Sequence, residues 1–250
     1  MSRKKQKSNS GNSSSVIRWV IGTHSCKEAI FFQENWVQEV VIQEDKFREH
    51  SEIEELCKRK SISVKSKGKK FFNAIADGHQ GVAVAMTDRP RWDDDSVNKE
   101  KSLVVFLDGI TDPHNLGAIL RTAWLLEVDG LFIPKERRVD LTPVVCKVSC
   151  GGAEHVPVES THFASQLSWF KDQGYWIYGL SEKGRMNLPQ AKFPEKTVLI
   201  VGAEGKGLRA STEKICDELV QIPQVQGGSS YNASVAFAMC AYECTRSRFL

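Results

Sequence analysis

The sequence predicts an α/β protein in which a C-terminal domain built on a parallel sheet follows a smaller α/β domain. Three observations carry this. Short apolar runs alternate with helical periodicity along most of the chain. The run Leu103-Val104-Val105-Phe106-Leu107 is apolar without alternation, as expected of a strand buried on both faces. A polar stretch with a proline, Arg89-Pro90-Arg91-Trp92-Asp93-Asp94-Asp95-Ser96, breaks the pattern in the middle. The boundaries that follow are a basic tail at 1–15, a first domain at 16–88, a linker at 89–101 and a second domain at 102–250.

In the first domain, Val16 to Ile21 reads as a strand. Ser25 and Glu28 match a capping box and open a helix through about Phe32. Val37 to Ile42 is a second strand, and Phe47 to Lys60 has helical spacing (Phe47, Ile53, Leu56, Cys57). Ser61–Lys65 and Gly81–Met86 are further strands. In the second domain a helix runs from about Leu116 to Glu127. Strands follow at Gly130–Ile133, Trp176–Leu180, Thr197–Val201 and Leu219–Ile222. Val144, Val145 and Val148 mark another helix, and Ser234–Arg248 a final one.

Ligands of parallel α/β sheets sit beyond the carboxyl ends of the strands. Three loops there are rich in chemistry. Asp108 through Gly117 is long and polar, ends at a helix start, and is followed by Arg121; Gly117 and Ala118 share that arginine's face and leave room for a ligand. Gly202-Ala203-Glu204-Gly205-Lys206-Gly207 carries three glycines in six positions, implying close backbone approach or unusual dihedrals. Its spacing fits neither a P-loop nor GxGxxG, which argues against an NTPase or a dinucleotide-dependent oxidoreductase. Glu204 would also repel a phosphate and better suits a cation or a hydroxyl. The third loop, Ile222 to Ser234, offers many Gly, Ser and Asn donors and acceptors suited to an adenine or ribose; Asn232 or Ser234 can also cap the last helix.

These loops resemble those of the SpoU-type ribose methyltransferases of the SPOUT superfamily. The residues carrying the likeness are Asp112-Pro113-His114-Asn115-Leu116-Gly117 with Arg121, then Gly202 to Gly207, then Ser229-Ser230-Tyr231-Asn232 with Ser234-Val235-Ala236. The first domain, from Ile21-Gly22-Thr23-His24, resembles the ribosomal-protein-like substrate domain of members that modify a guanosine of 23S ribosomal RNA. The resemblance implies a trefoil knot, a homodimer formed through the knotted domain, and S-adenosylmethionine as methyl donor. It assigns catalytic roles to Arg121, Asn115, Glu204, Ser230 and Asn232. Asn115 and Ser230 would orient the ribose and Arg121, and Glu204 would hold the arginine or a neighbouring donor. Leu180, Ser181, Gly202, Glu204, Gly205, Ile222, Tyr231 and Ala233 would cradle the cofactor. Two residues depart from the family pattern: Tyr231 replaces a common leucine, and Trp124 a smaller residue.

The formal net charge of +3 is too small to establish RNA binding by itself. The cluster Lys58, Arg59, Lys60, Lys65, Lys67, Lys69 and Lys70 is the candidate footprint. Seven cysteines without CxxC spacing suggest reduced thiols and no metal site. No apolar run or leader-like segment stands out, so a soluble cytoplasmic enzyme is expected. A transfer-RNA methylase of the same family and a non-catalytic RNA-binding protein are the alternatives.

Overall fold

The structure is a computed structural model that describes residues 18–137, 140–225 and 229–249. The expected basic tail, Val16 and Ile17 of the first strand, and Gly227 and Gly228 of the third loop lie outside the described residues.

The N-terminal sheet is formed by β1 (Arg18–Ile21), β2 (Val37–Gln43), β3 (Val64–Lys67) and β4 (Val82–Met86), in the order β1-β4-β2-β3. β4 runs antiparallel to β1 and β2, while β3 is parallel to β2. One face carries Val20, Val40, Ile42, Val82, Val84 and Met86 beneath α1 (Thr23–Phe32) and α2 (Ser51–Arg59). The other face, with Ile21, Val41 and Ala83, is covered by Phe72 of α3 (Lys69–Ile75).

The C-terminal sheet has seven strands: β5 (Ser102–Asp108), β6 (Gly130–Pro134), β7 (Val158–Thr161), β8 (Trp176–Leu180), β9 (Met186–Asn187), β10 (Lys196–Gly202) and β11 (Glu218–Gln221). Their order is β7-β6-β5-β10-β8-β11-β9, and every pair is parallel. The unbroken apolar run of β5 divides between two cores. Leu103, Val105 and Leu107 face α4 (Pro113–Leu125), α5 (Pro143–Ser149), α6 (Gly152–His155) and α9 (Ala233–Thr245). Val104 and Phe106 face α7 (Phe163–Asp172), whose Phe163, Leu167 and Phe170 recur at helical spacing. A short α8 (Ala210–Glu213) precedes β11.

Four local expectations are corrected. α1 begins at Thr23, with Gly22 at its N-cap and no side-chain cap. Ser25 therefore does not form a capping box; its Oγ donates to the Cys146 carbonyl at 2.7 Å, across 121 residues of chain. Glu28 pairs with His155 at 3.0 Å instead. α2 begins at Ser51, because 47–50 form turns. α9 ends at Thr245 and tightens into a 3-10 turn over Arg246–Arg248.

The two sheets share one core. Val20, Cys26 and Ile30 belong to the same buried cluster as Val145, Cys146 and Ala153. The 89–101 segment is held down as well. Trp92 packs edge-on against Phe132 and Phe170, Val97 is buried, and Arg89 donates to the Val158 carbonyl at 2.5 Å. No helix among the described residues is long and apolar enough to cross a membrane.

Candidate active site

β5 and β10 are neighbours with Asp108 opposite Gly202, and β8 and β11 continue the sheet. Leu180, Gly202 and Ile222 thus stand at or just past the carboxyl ends of three adjacent strands. The loops leaving β5, β10 and β11 meet there.

Their meeting point is the side chain of Asn232, the N-cap of α9. Its Oδ1 accepts from the Ser234 backbone N–H at 2.9 Å and from the Ser234 hydroxyl at 2.6 Å. Its Nδ2 donates to Asn115 Oδ1 at 2.9 Å and to Glu204 Oε1. One amide therefore starts a helix with its oxygen and ties two other loops together with its nitrogen. Asn115 lies in the first turn of α4 and is buried, while Glu204 and Asn232 are exposed. Asp112 fixes that turn by accepting from the His114 N–H at 3.0 Å, with Pro113 at the first helical position.

The loop carrying Glu204 is a tight return. Ala203 and Gly207 bridge, and the Gly207 N–H donates to the Ala203 carbonyl at 2.8 Å. Gly205 and Gly207 have φ of +70° and +65°, which L side chains rarely adopt, and both face open space. At Gly202 a Cβ would come within 2.3 Å of the Gly207 backbone, so this position requires close approach. The far end of the loop is anchored by Arg209. Its N–H donates to Asp108 Oδ2 at 3.0 Å and its guanidinium contacts Asp108 Oδ1 at 2.5 Å. Sequence reasoning passed over this pair, although Asp108 ends the buried strand β5 and is itself buried.

Arg121 is exposed and has no hydrogen-bond or ion-pair partner among the described residues. The structure does not bring Glu204 or Ser230 to it; Glu204 is committed to Asn232. Asn115 and Arg121, six positions apart, point to different faces of α4. Gly117 was expected to leave room for a ligand beside Arg121, but it is a packing contact. A Cβ there would lie 2.6 Å from Val148 Cβ and 3.1 Å from the Val145 carbonyl, so the glycine lets α4 and α5 approach.

Among the remaining residues, Ser181 extends the β8–β11 pairing, its N–H donating to the Val220 carbonyl at 3.0 Å, and its own carbonyl accepts from the Gly184 N–H at 3.0 Å in a turn. Ala233 is buried at the start of α9, whereas Ser230 and Tyr231 are exposed. A cavity of about 460 Å³ lies elsewhere, between α1 and α2. Four of its rim charges are paired with each other (Lys27 with Glu52, Arg59 with Glu55), Glu28 pairs with His155, and the cavity contains none of the expected site residues.

A parallel α/β sheet with three polar loops converging beyond its strand ends defines a ligand-binding α/β domain, here joined to a second domain by a common core. The sequence profile of the SpoU rRNA Methylase family matches residues 102–242, and that of RNA 2'-O ribose methyltransferase substrate binding matches residues 19–92. The chain belongs to the SpoU family of RNA methyltransferases. It is 37% identical over 238 residues to a TrmH-family tRNA/rRNA methyltransferase of Staphylococcus saprophyticus, covering 92% of this chain and 95% of the relative. It is 32% identical over 243 residues to the 23S rRNA (guanosine-2'-O-)-methyltransferase RlmB of Pseudomonas putida, covering 94% and 98%. The crystal structure of the SpoU methyltransferase AviRb from Streptomyces viridochromogenes in complex with AdoMet has the same fold, with a TM-score of 0.78 at 23% identity over 92% of this chain and 90% of that one.

Proposed function

We propose that this chain methylates a ribose 2'-hydroxyl of ribosomal RNA, a guanosine of 23S RNA foremost, with S-adenosylmethionine as donor. The observation that carries the reading is the Asn115–Asn232–Glu204 network beyond the ends of β5, β10 and β11. A relative that covers both domains is named as a 23S guanosine enzyme, which favours ribosomal over transfer RNA. A knotted C-terminal domain, a homodimer formed through it and work in the cytoplasm belong to the same reading, as does the division of the chain at 89–101.

The residues present fit the cofactor. Leu180, Ile222 and Ala233 offer apolar surface. Apart from the Ser229 hydroxyl donating to the Ser230 carbonyl at 3.5 Å, the backbone of 229–231 makes no hydrogen bond among the described residues, which leaves N–H and C=O groups for a purine. Glu204 supplies a carboxylate suited to a cationic centre. When bound, S-adenosylmethionine supplies a methyl group on a positively charged sulfur.

The chain's own residues then have to hold and activate a weak nucleophile. A guanidinium stays protonated, so Arg121 serves as a cation and not as a base. It grips the phosphate beside the target ribose and steadies the negative charge that develops as the hydroxyl proton leaves to a phosphate oxygen or to solvent. Asn115 and Asn232, fixed by each other, give the ribose a rigid polar wall, and Ser230 adds a hydroxyl from the same loop.

The test is methyl transfer from labelled S-adenosylmethionine to unmodified 23S RNA and to transfer RNA, with the product mapped by resistance to alkaline cleavage. Methylation of 23S RNA is expected. Methylation of transfer RNA alone would overturn the substrate. In the same assay Arg121→Ala should abolish transfer and leave cofactor binding intact; near-normal turnover would remove Arg121 from the mechanism.

A further inference from the structure

We propose that Arg18 and Glu154 are positioning residues: they set the register of the N-terminal domain against the turn of α4 that bears Arg121, so that RNA gripped by one domain meets the other at a fixed place. This rests on the reading of the chain as an RNA methyltransferase with Arg121 at its centre.

The pair is a fork on a carboxylate, with Arg18 Nη1 donating to Glu154 Oε1 at 2.6 Å and Nη2 to Oε2 at 2.7 Å. The two residues are 136 positions apart, and their side chains are 11% and 0% exposed. Nη2 also donates to the Asp88 carbonyl at 3.2 Å, where the chain leaves the N-terminal sheet. Arg18 therefore fastens β1, the exit of the first domain and α6 at one point.

From α6 the constraint reaches α4 along two routes. Gly152, at the start of α6, sits so close to α4 that a Cβ would lie 2.4 Å from the Leu120 carbonyl and 2.9 Å from the Arg121 nitrogen. At the other end of α6, His155 stacks on Trp124 with ring centroids 4.3 Å apart and planes 4° apart, one turn beyond Arg121. The N-terminal domain holds this end too. Glu28 pairs with His155 at 3.0 Å, Phe32 meets its ring edge-on at 4.5 Å, and Gln33 donates to the Glu154 carbonyl at 2.8 Å. The N-terminal domain is thereby referenced, through α6, to the backbone on both sides of Arg121, while α4 itself stays fixed by its packing on α5 and α9.

The seam has two kinds of contact with different consequences. Its apolar residues attract without direction and tolerate sliding. A buried ion pair adds little net stability compared with well-packed apolar residues, but a bidentate guanidinium–carboxylate contact fixes both distance and angle. Register matters because a misplacement of about 1 Å can cost roughly a hundredfold in rate.

The experiment uses the full chain and replaces both partners, Arg18→Met with Glu154→Met, which leaves no lone buried charge. Distances between spin labels introduced as unnatural amino acids at the exposed Ser63 and Ser211 should be narrow in the parent and broad in the double variant, with unchanged circular dichroism. On long structured 23S RNA, kcat/KM should fall about tenfold or more and methyls should be misplaced. On a short fragment spanning only the target, the rate should be retained. The reversed pair, Arg18→Glu with Glu154→Arg, should restore the narrow distance and the preference for long RNA. An unchanged distance distribution, or an equal loss on long and short RNA, overturns the proposal. If the parent methylates neither RNA, the functional reading fails, while the distance measurement still decides whether the pair sets the register.

Discussion

Asn232 concentrates two demands in one side chain. Asn232→Asp keeps an acceptor for Ser234 but replaces the donor that faces Asn115 Oδ1 and Glu204. Its thermal stability should stay close to the parent's, while methyl transfer falls by at least about a hundredfold. Asn232→Ala loses the cap as well, at a cost of about 1 kcal/mol. Turnover and melting temperature measured together separate the two, and an active Asp variant would show that the Nδ2 contacts are dispensable. Cys146 supplies a pH prediction. Burial, with a smaller contribution from the nearby Glu154 carboxylate, pushes its thiol from the usual 9 up to about 12. Below pH 9 the thiol is protonated in both folded and unfolded chains, so its contribution is fully present. Between about pH 9 and about pH 12 the unfolded chain releases this proton more readily, and stability falls. Melting temperatures should decline over that range, and less steeply in Cys146→Ala at matched starting stability.

At the scale of elements, Gly117→Ala sets helix propensity against packing. Alanine favours a helix interior by up to about 1 kcal/mol. Overpacking costs about 1–3 kcal/mol, and here one of the obstructing atoms is a backbone carbonyl that cannot rotate away. A net loss on the order of 1 kcal/mol is expected, seen as a fall of about 2–4 °C in melting temperature; a rise would mean that α4 and α5 can separate freely. The same glycine shows what a sequence conveys. β5 was legible because a parallel strand buried on both faces is apolar along its run, whatever its neighbours are. Asn232 as a cap was legible because capping is local. Gly117, Ser25 and Glu28 were misread because their partners, Val148, Cys146 and His155, are brought to them by tertiary packing. Short α6 was missed because four residues carry no period. The site loops were found by their composition, and the contacts among them by the structure.

For the whole molecule, the basic cluster is less available than its composition suggests. Lys58, Arg59, Lys60 and Lys65 pair with Glu54, Glu55, Glu34 and Glu39. Lys67, Lys69 and Lys70 are exposed and have no ion-pair partner among the described residues. They flank the edge strand β3 and the start of α3, and they are the better candidates for phosphate contact. Replacing these three with alanine should weaken RNA binding and lower the slope of log K against log salt by about 2–3, since each phosphate contact contributes about 0.7–0.9. Replacing Lys58 and Arg59 should do less. Equal effects would return the footprint to the whole cluster.

The amide of Asn232 is shared by the candidate site and by the start of α9, so occupancy of the one is expected to be linked to the order of the other. A molecule held between the loops after β10 and β11 favours the arrangement in which Asn232 is fixed, and that is also the arrangement in which α9 begins. By mass action, binding adds stability to the first turn of the last helix. The slowed exchange of backbone hydrogens at Ser234 to Phe237 should therefore report a filled site, on a part of the chain that need not touch the ligand.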